Sequence, residues 1–416
     1  MRPQWQKQER WIDMKKTKKV KNNAESTVVI ENLNIPDDQV WDYKIDGLAA
    51  PMIGKTYKNF TVKKVLLVIA VIIVISLSFL FSVIALMSDT FEYDVLSDGT
   101  YMLSQFSNTG NIRELDIDYV SDVLEERVLE NKEVEVVFSK DKTKPVTEIR
   151  EYAFNCDEKV EVINIGPQVT KIDPKSFYSC WKLERIEVDE NNPVYCDVDG
   201  VLYTKDMKTL VCLPINHDLY LAKQDGIMND LWPGDEGYDE YKKNYMTMVI
   251  PSTVEHIGDL ALNYNALSDI YLPEGLKTIG NLAFFESTLT ENIYTYKGES
   301  EQIIGADDIS FTADQLYLSL PEGLESIGTD AFNYNRELDY MYVPSSVKFI
   351  GHHAFWGTVY KEDGELKGVA CIDVAVDENT FTADVEKGNN WLPQFDNGLF
   401  PKEIEVKYGA TRKAMS

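Results

Sequence analysis

The sequence predicts a repeat solenoid preceded by one transmembrane α-helix. Three observations predict it: a phrase recurring about every 23 residues, an uncharged run of 23 residues, and opposite net charge on the two sides of that run. The phrase is clearest from Pro321 to Phe355, where Ile327, Gly328, Ala331 and Phe332 return 23 residues later as Ile350, Gly351, Ala354 and Phe355. It stands again at Ile257-Gly258-Ala261-Leu262 and, 22 residues on, at Ile279-Gly280-Ala283-Phe284. Two looser copies lie upstream, at Ile149-Ala153-Phe154 and Ile172-Ser176-Phe177. A fixed period of this kind marks stacked units, none of which buries its apolar face alone.

In chain order, residues 1–64 carry 13 Lys/Arg against 8 Asp/Glu, a net of +5, and read as a basic, mostly flexible cytoplasmic segment. The cluster Lys15, Lys16, Lys18, Lys19 and Lys21 suits an anionic inner leaflet and equally suits a solvated tail. Ala49 to Thr56 matches a relaxed phosphate-loop pattern, but that loop needs a strand before it and a helix after it; the match reads as coincidence. Residues 65–87 are uncharged and mostly aliphatic. As a helix they would span about 34 Å, enough for a hydrocarbon core about 30 Å thick. Lys63-Lys64 before the run and Asp89 after it predict a cytoplasmic N-terminus and an extracellular C-terminal domain. A cleaved signal peptide is disfavoured by the length and position of the run.

Residues 88–416 carry 28 Lys/Arg against 61 Asp/Glu, a net of −33. That balance excludes nucleic acid as a partner class, since phosphate binding needs a positive surface. Residues 88–145 are expected to form a membrane-proximal N-terminal cap, with strands near 91–106 and 133–138 and an amphipathic stretch near 119–130. The repeats are placed at 146–376, with insertions near 191–245 and 291–313, and residues 377–416 as a C-terminal cap and loose tail. Between phrases runs a second pattern, apolar-x-x-apolar-x-apolar, as in Leu183, Ile186, Val188 and Leu267, Ile270, Leu272 before Pro273. Its alternation predicts a short strand with one face inward.

The Ile-Gly-x-x-Ala-Phe phrase, the strand ending in Pro and the period resemble the BspA-like leucine-rich repeats of microbial surface proteins. The resemblance implies a leucine-rich-repeat right-handed coil of short β-strands and turns, with a strand-lined face used for binding rather than catalysis. Residues 191–214 resemble the hairpin that interrupts such repeats, with turns at Asp199-Gly200 and Lys205–Lys208.

Catalytic and metal chemistry finds no constellation, and no cofactor is expected. Cys156, Cys180, Cys196, Cys212 and Cys371 form no CxxC pair, and a Cys196–Cys212 bridge across the hairpin is left open. Cys180 falls three residues after a repeat Phe, where other copies place Asn265, Ser287, Asn335 and Thr358, which reads as a buried hydrogen-bonding ladder. His352-His353 fills the two variable positions of the phrase and reads as an exposed turn. Asp197-Val198-Asp199-Gly200 lacks the other ligands of a calcium loop.

The expected binding face consists of variable positions between the strand anchors: Glu184, Arg185 and Glu187, then Asp269 and Tyr271, then Tyr317, then Asp339, Tyr340 and Tyr342. In-register coils would set these tyrosines and carboxylates in rows suited to gripping protein or glycan. The alternative is that tyrosine simply favours strands. The expected function is a membrane-anchored surface recognition or adhesion protein that is not an enzyme. It would hold lipid through the helix and an extracellular protein or glycan through the repeats. A single-pass sensor relaying ectodomain binding to residues 1–64 is the alternative.

Overall fold

The computed structural model describes residues 90–108, 112–128, 134–154, 157–228, 231–287, 290–338, 340–362, 365–368, 371–375 and 405–412. The basic segment and the predicted span lie outside the described residues. Among the described residues no helix is long and apolar enough to cross a membrane.

The apolar-x-x-apolar-x-apolar pattern forms the strands it predicts. Glu114–Ile117, Val162–Ile165 and Arg185–Val188 pair in parallel, with Leu115, Ile163 and Ile186 in one row and Ile117, Ile165 and Val188 in the next. Farther along, Thr247–Val249, Asp269–Pro273 and Asn292–Tyr296 form a second parallel ladder with Met248, Ile270 and Ile293 in register. Tyr340–Val343, Cys371–Val374 and Glu405–Tyr408 form a third. The rows Leu115–Ile163–Ile186 and Met248–Ile270–Ile293 point inward, each residue no more than 3% exposed.

The Ile of each phrase builds a separate, short ladder of two-residue strands, in which Ile257, Ile279, Ile327 and Ile350 follow Leu210 of Thr209–Cys212. In the upstream stack Leu103, Ile149 and Ile172 do the same. The following Gly is needed for close approach. A Cβ at Gly280, Gly328 or Gly351 would lie 2.6, 2.5 or 2.2 Å from the backbone of the preceding coil. Beyond it the chain takes a left-handed step at Tyr152, Leu260, Leu282, Asp330 and His353, with φ of 54–60°. Such φ values are unfavourable for residues with a Cβ. Inter-coil bonds offset that strain: the amides of Leu260, Leu282 and Asp330 donate to carbonyls of Asn281, Thr329 and His352. The phenyl rings then stack in file, Phe154 on Phe177 at 5.8 Å, and Phe284, Phe332 and Phe355 at 4.9 and 5.4 Å.

The expected polar ladder is present. Cys180, Asn265, Ser287, Asn335 and Thr358 are all buried. Asn265 donates to Ser287 Oγ at 2.7 Å, Ser287 to the Leu262 carbonyl at 2.7 Å, and Thr358 to the Phe355 carbonyl at 2.9 Å. The hairpin is present too, as the antiparallel strands Tyr195–Val198, Val201–Thr204 and Thr209–Cys212. Cys196 and Cys212 are free thiols on its outer strands, with Val201–Thr204 between them.

Three expectations meet a different arrangement. Upstream of residue 146, Ile112, Leu115 and Ile117 repeat the strand pattern, and Glu114–Ile117 pairs with the repeat strand Val162–Ile165. The amphipathic stretch there is a strand, Tyr119–Val128, antiparallel to the long strand Val134–Ile149. Within the region read as the second insertion, Asn292–Tyr296 is a ladder strand, and the excursion runs from 297 to 315. Its buried threonines bond to carbonyls, Thr290 to Leu267 at 3.0 Å and Thr295 to Ser319 at 2.6 Å, so hydroxyl-bearing residues fill apolar positions. The last residues are not loose through Arg412, whose side chain is 8% exposed and held by Glu274.

Candidate binding face

The second ladder belongs to a five-stranded sheet ordered Ile303–Ile304, Thr247–Val249, Asp269–Pro273, Asn292–Tyr296, Leu316–Leu318, with both outermost strands antiparallel. Because neighbouring side chains alternate, Ile270, Leu272, Ile293 and Thr295 are buried on one face. The other face carries Asp269, Tyr271, Asn292 and Tyr294, each half-buried. In-register pairing sets Tyr271 opposite Tyr294 and Asp269 opposite Asn292. The two tyrosine rings stack at 4.8 Å, and Asn292 donates to Asp269 Oδ1 at 2.8 Å. Phe311, from the excursion, lies 6.4 Å from Tyr271 and 4.5 Å from the buried Tyr296 ring.

The first insertion forms two helices, α1 (His217–Gln224) and α2 (Tyr238–Tyr245). Each has acid in its first turn and Lys in its last, complementing the helix dipole. Tyr241 and Tyr245 of α2 donate to Asp218 and Asp225 at 2.9 and 2.6 Å, which locks the pair together. Lys242 pairs with Glu291 at 2.6 Å and Lys243 with Asp307 at 2.6 Å, so α2 borders the strand ends and the excursion.

The nine predicted residues meet different fates. Asp269 and Tyr271 sit together on the face described. Glu184 is 5% exposed and ion-paired to Lys223 of α1, so the insertion covers it. Arg185 bonds Glu187 at 2.6 Å and lies 5.3 Å from the Tyr220 ring, while Glu187 is exposed. Tyr317 is half-buried with Lys297 4.6 Å and Arg412 3.9 Å from its ring centroid. Tyr340 donates to Asp373 at 2.8 Å, and Tyr342 is 2% exposed and donates to Glu322 at 3.1 Å. Asp339 lies outside the described residues.

Burial disfavours charge on the titratable groups of this face. Burial raises the Asp269 carboxyl above its ordinary range, with the Asn292 hydrogen bond opposing. Burial also pushes the Tyr271 hydroxyl up, and the Tyr294 hydroxyl to about 12. These phenols stay protonated at neutral pH and offer hydrogen bonds beside flat apolar rings. His217 is buried with Nε2 2.7 Å from the Asp199 carbonyl, and burial lowers its pKa. Among the described residues no cluster of His, Cys, Asp or Glu could hold a metal ion.

Sequence reading missed Asn292, Tyr294 and Phe311. The signal for the first two was Thr290-x-x-Ile293-x-Thr295, the strand pattern with threonine at two anchors. Phe311 left no signal, because an excursion of irregular backbone sets its position. A second row was also missed: the half-buried rings of Tyr178, Tyr264, Phe285 and Tyr334 adjoin one another at 6.0, 5.5 and 6.4 Å beside the turns.

A family model described as the BspA type leucine rich repeat region matches residues 100–196 and 238–361 in six copies, more than half of the chain. The chain belongs to this family. Among solved structures, this BspA-type chain is similar to the pneumococcal vaccine antigen PcpA at 22% identity, covering 57% of this chain and 45% of that one, with a TM-score of 0.41. A leucine-rich repeat protein from Eubacterium ventriosum matches at 20% identity over 60% of this chain and 52% of its own, TM-score 0.33. The T. pallidum leucine-rich repeat protein matches at 16% identity over 64% and 86%, TM-score 0.31. The chain spans about half the length of the first two. No curated protein matches it.

Proposed function

We propose that this BspA-type repeat protein is a membrane-anchored surface receptor or adhesin that binds an extracellular protein or glycan and is not an enzyme. The anchor is the span at residues 65–87, with residues 1–64 inside and the repeats outside. The recognition surface is the outer face around Tyr271, Tyr294 and Phe311, with Asp269 and Asn292 alongside. The stacked pair Tyr271–Tyr294, half-buried and rimmed by polar groups, carries this reading. Rigid aromatic area with a polar tip binds at low entropic cost. Membership of a leucine-rich-repeat family, whose stacked units present extended binding surfaces, supports the non-enzymatic part.

The test is display of the full chain on cells, with capture of matrix protein and binding to a glycan panel compared between wild type and Y271A/Y294A. Loss of capture in the double variant, with unfolding unchanged, supports the face; equal capture rejects it. Labelling of single cysteines placed in residues 1–64 with an impermeant reagent tests the orientation, and labelling of intact cells would refute it.

A further inference from the structure

A bidentate ion pair joins two parts of the chain 138 residues apart. The Arg412 guanidinium donates through Nη1 and Nη2 to the two oxygens of Glu274 at 3.0 and 2.9 Å, and through Nε to Ser319 Oγ at 2.8 Å. Its Cζ lies 3.9 Å from the Tyr317 ring centroid. The carboxylate takes one edge, the hydroxyl takes Nε and the ring takes one flat side. A planar fork satisfies such a set and a lysine ammonium does not.

The receptor and its occupant come from different kinds of segment. Glu274 directly follows the strand Asp269–Pro273, while Tyr317 and Ser319 lie in and just after Leu316–Leu318. Both strands belong to the sheet that carries Tyr271 and Tyr294. The occupant sits near the chain end, beyond the strand Glu405–Tyr408 and Gly409, whose φ of 70° turns the backbone. The receptor is therefore built into the repeats, and the guanidinium reaches it from the segment that follows the last described strand.

We propose that Glu274, Tyr317 and Ser319 form an arginine-recognition site, which Arg412 fills in cis and which an arginine of a protein partner enters by displacing it. The C-terminal segment is then an internal competitor that lowers affinity until a partner with further contacts replaces it. A net charge of −33 over residues 88–416 favours such basic ligands. The proposal rests on the reading that this sheet binds protein, but its test reads a separate site.

The test uses the full chain in detergent micelles and an end-blocked Gly-Arg-Gly peptide, with Gly-Lys-Gly as control, titrated calorimetrically. Removing an intramolecular competitor whose effective concentration is about millimolar should make R412A bind the arginine peptide about tenfold more tightly than wild type. R412K should gain in the same direction, and E274Q added to R412A should cancel the gain. R412A binding no tighter than wild type, or binding both peptides alike, overturns the proposal, and a lower Tm without gained affinity makes Arg412 a structural clasp only. Failure here with Tyr271- and Tyr294-dependent capture intact rejects the arginine site alone. The reverse pattern rejects the tyrosine face alone.

Discussion

The rings of Phe332 and Phe355 lie 5.4 Å apart with their planes 1° from parallel, and Phe284 continues the file at 4.9 Å on the other side of Phe332. All three are fully buried, so these three coils share one phenyl file within a single core. Truncating the middle ring removes contacts to both neighbours. F332A should cost about 3–5 kcal/mol, measured by denaturant unfolding of the full chain in micelles. F332L, which keeps most of the volume, should cost distinctly less.

The glycines of the phrase should rank by how closely the preceding coil approaches. A Cβ at Gly351 meets Thr329 N at 2.2 Å, whereas the nearest atom to one at Gly258 is the Leu210 carbonyl oxygen at 3.0 Å. G351A forces backbone apart and should destabilise by about 1–3 kcal/mol, more than G258A. Equal unfolding midpoints for the two variants would contradict this account.

Periodicity exposed those glycines, and the reason is physical. Each coil solves the same packing problem, so Ile, Gly, Ala and Phe recur wherever backbones stack. Features set by one-off contacts leave no period. The Glu274–Arg412 pair spans 138 residues, and although Glu274 recurs in the repeat as Glu322, nothing periodic points from it to Arg412. Glu184 looked like a face residue because its strand position is variable; its burial depends on Lys223 in an insertion with its own fold. Tyr294 was hidden because threonine replaced the apolar anchors around it, a swap tolerated once each hydroxyl reaches a carbonyl.

Charge alternates along the short ladder, where Glu255 accepts from Lys208 at 2.6 Å and also from Lys277. Lys208, then Lys277, hold the Glu255 carboxyl at about 2, below its ordinary 4.5. A depressed acid stabilises the fold above its unfolded pKa and loses that contribution as pH falls through the folded value. The stability difference between wild type and E255Q should be constant above pH about 5 and shrink between about 4.5 and 2. Urea titrations at stepped pH would read it, and a difference independent of pH would refute it.

Lys223 and Glu184 behave in the opposite sense. The carboxylate stands just before the repeat strand Arg185–Val188, under α1, its side chain 6% exposed against 27% for its partner. Burial raises the Glu184 pKa and the Lys223 ion pair only partly opposes it. K223A would leave a buried anion at pH 7, which should cost about 1–3 kcal/mol, below the full value for a buried pair because Lys223 is still partly solvated. A raised acid gains stability at low pH and loses it as pH rises through the folded pKa. The penalty of K223A should therefore fall at acid pH, where Glu184 takes up a proton. E184Q/K223A, which never holds that anion, should show no such relief. Hydrogen exchange of residues 217–224 should follow the same order, fastest in K223A at pH 7, because α1 docks on the repeat through this pair.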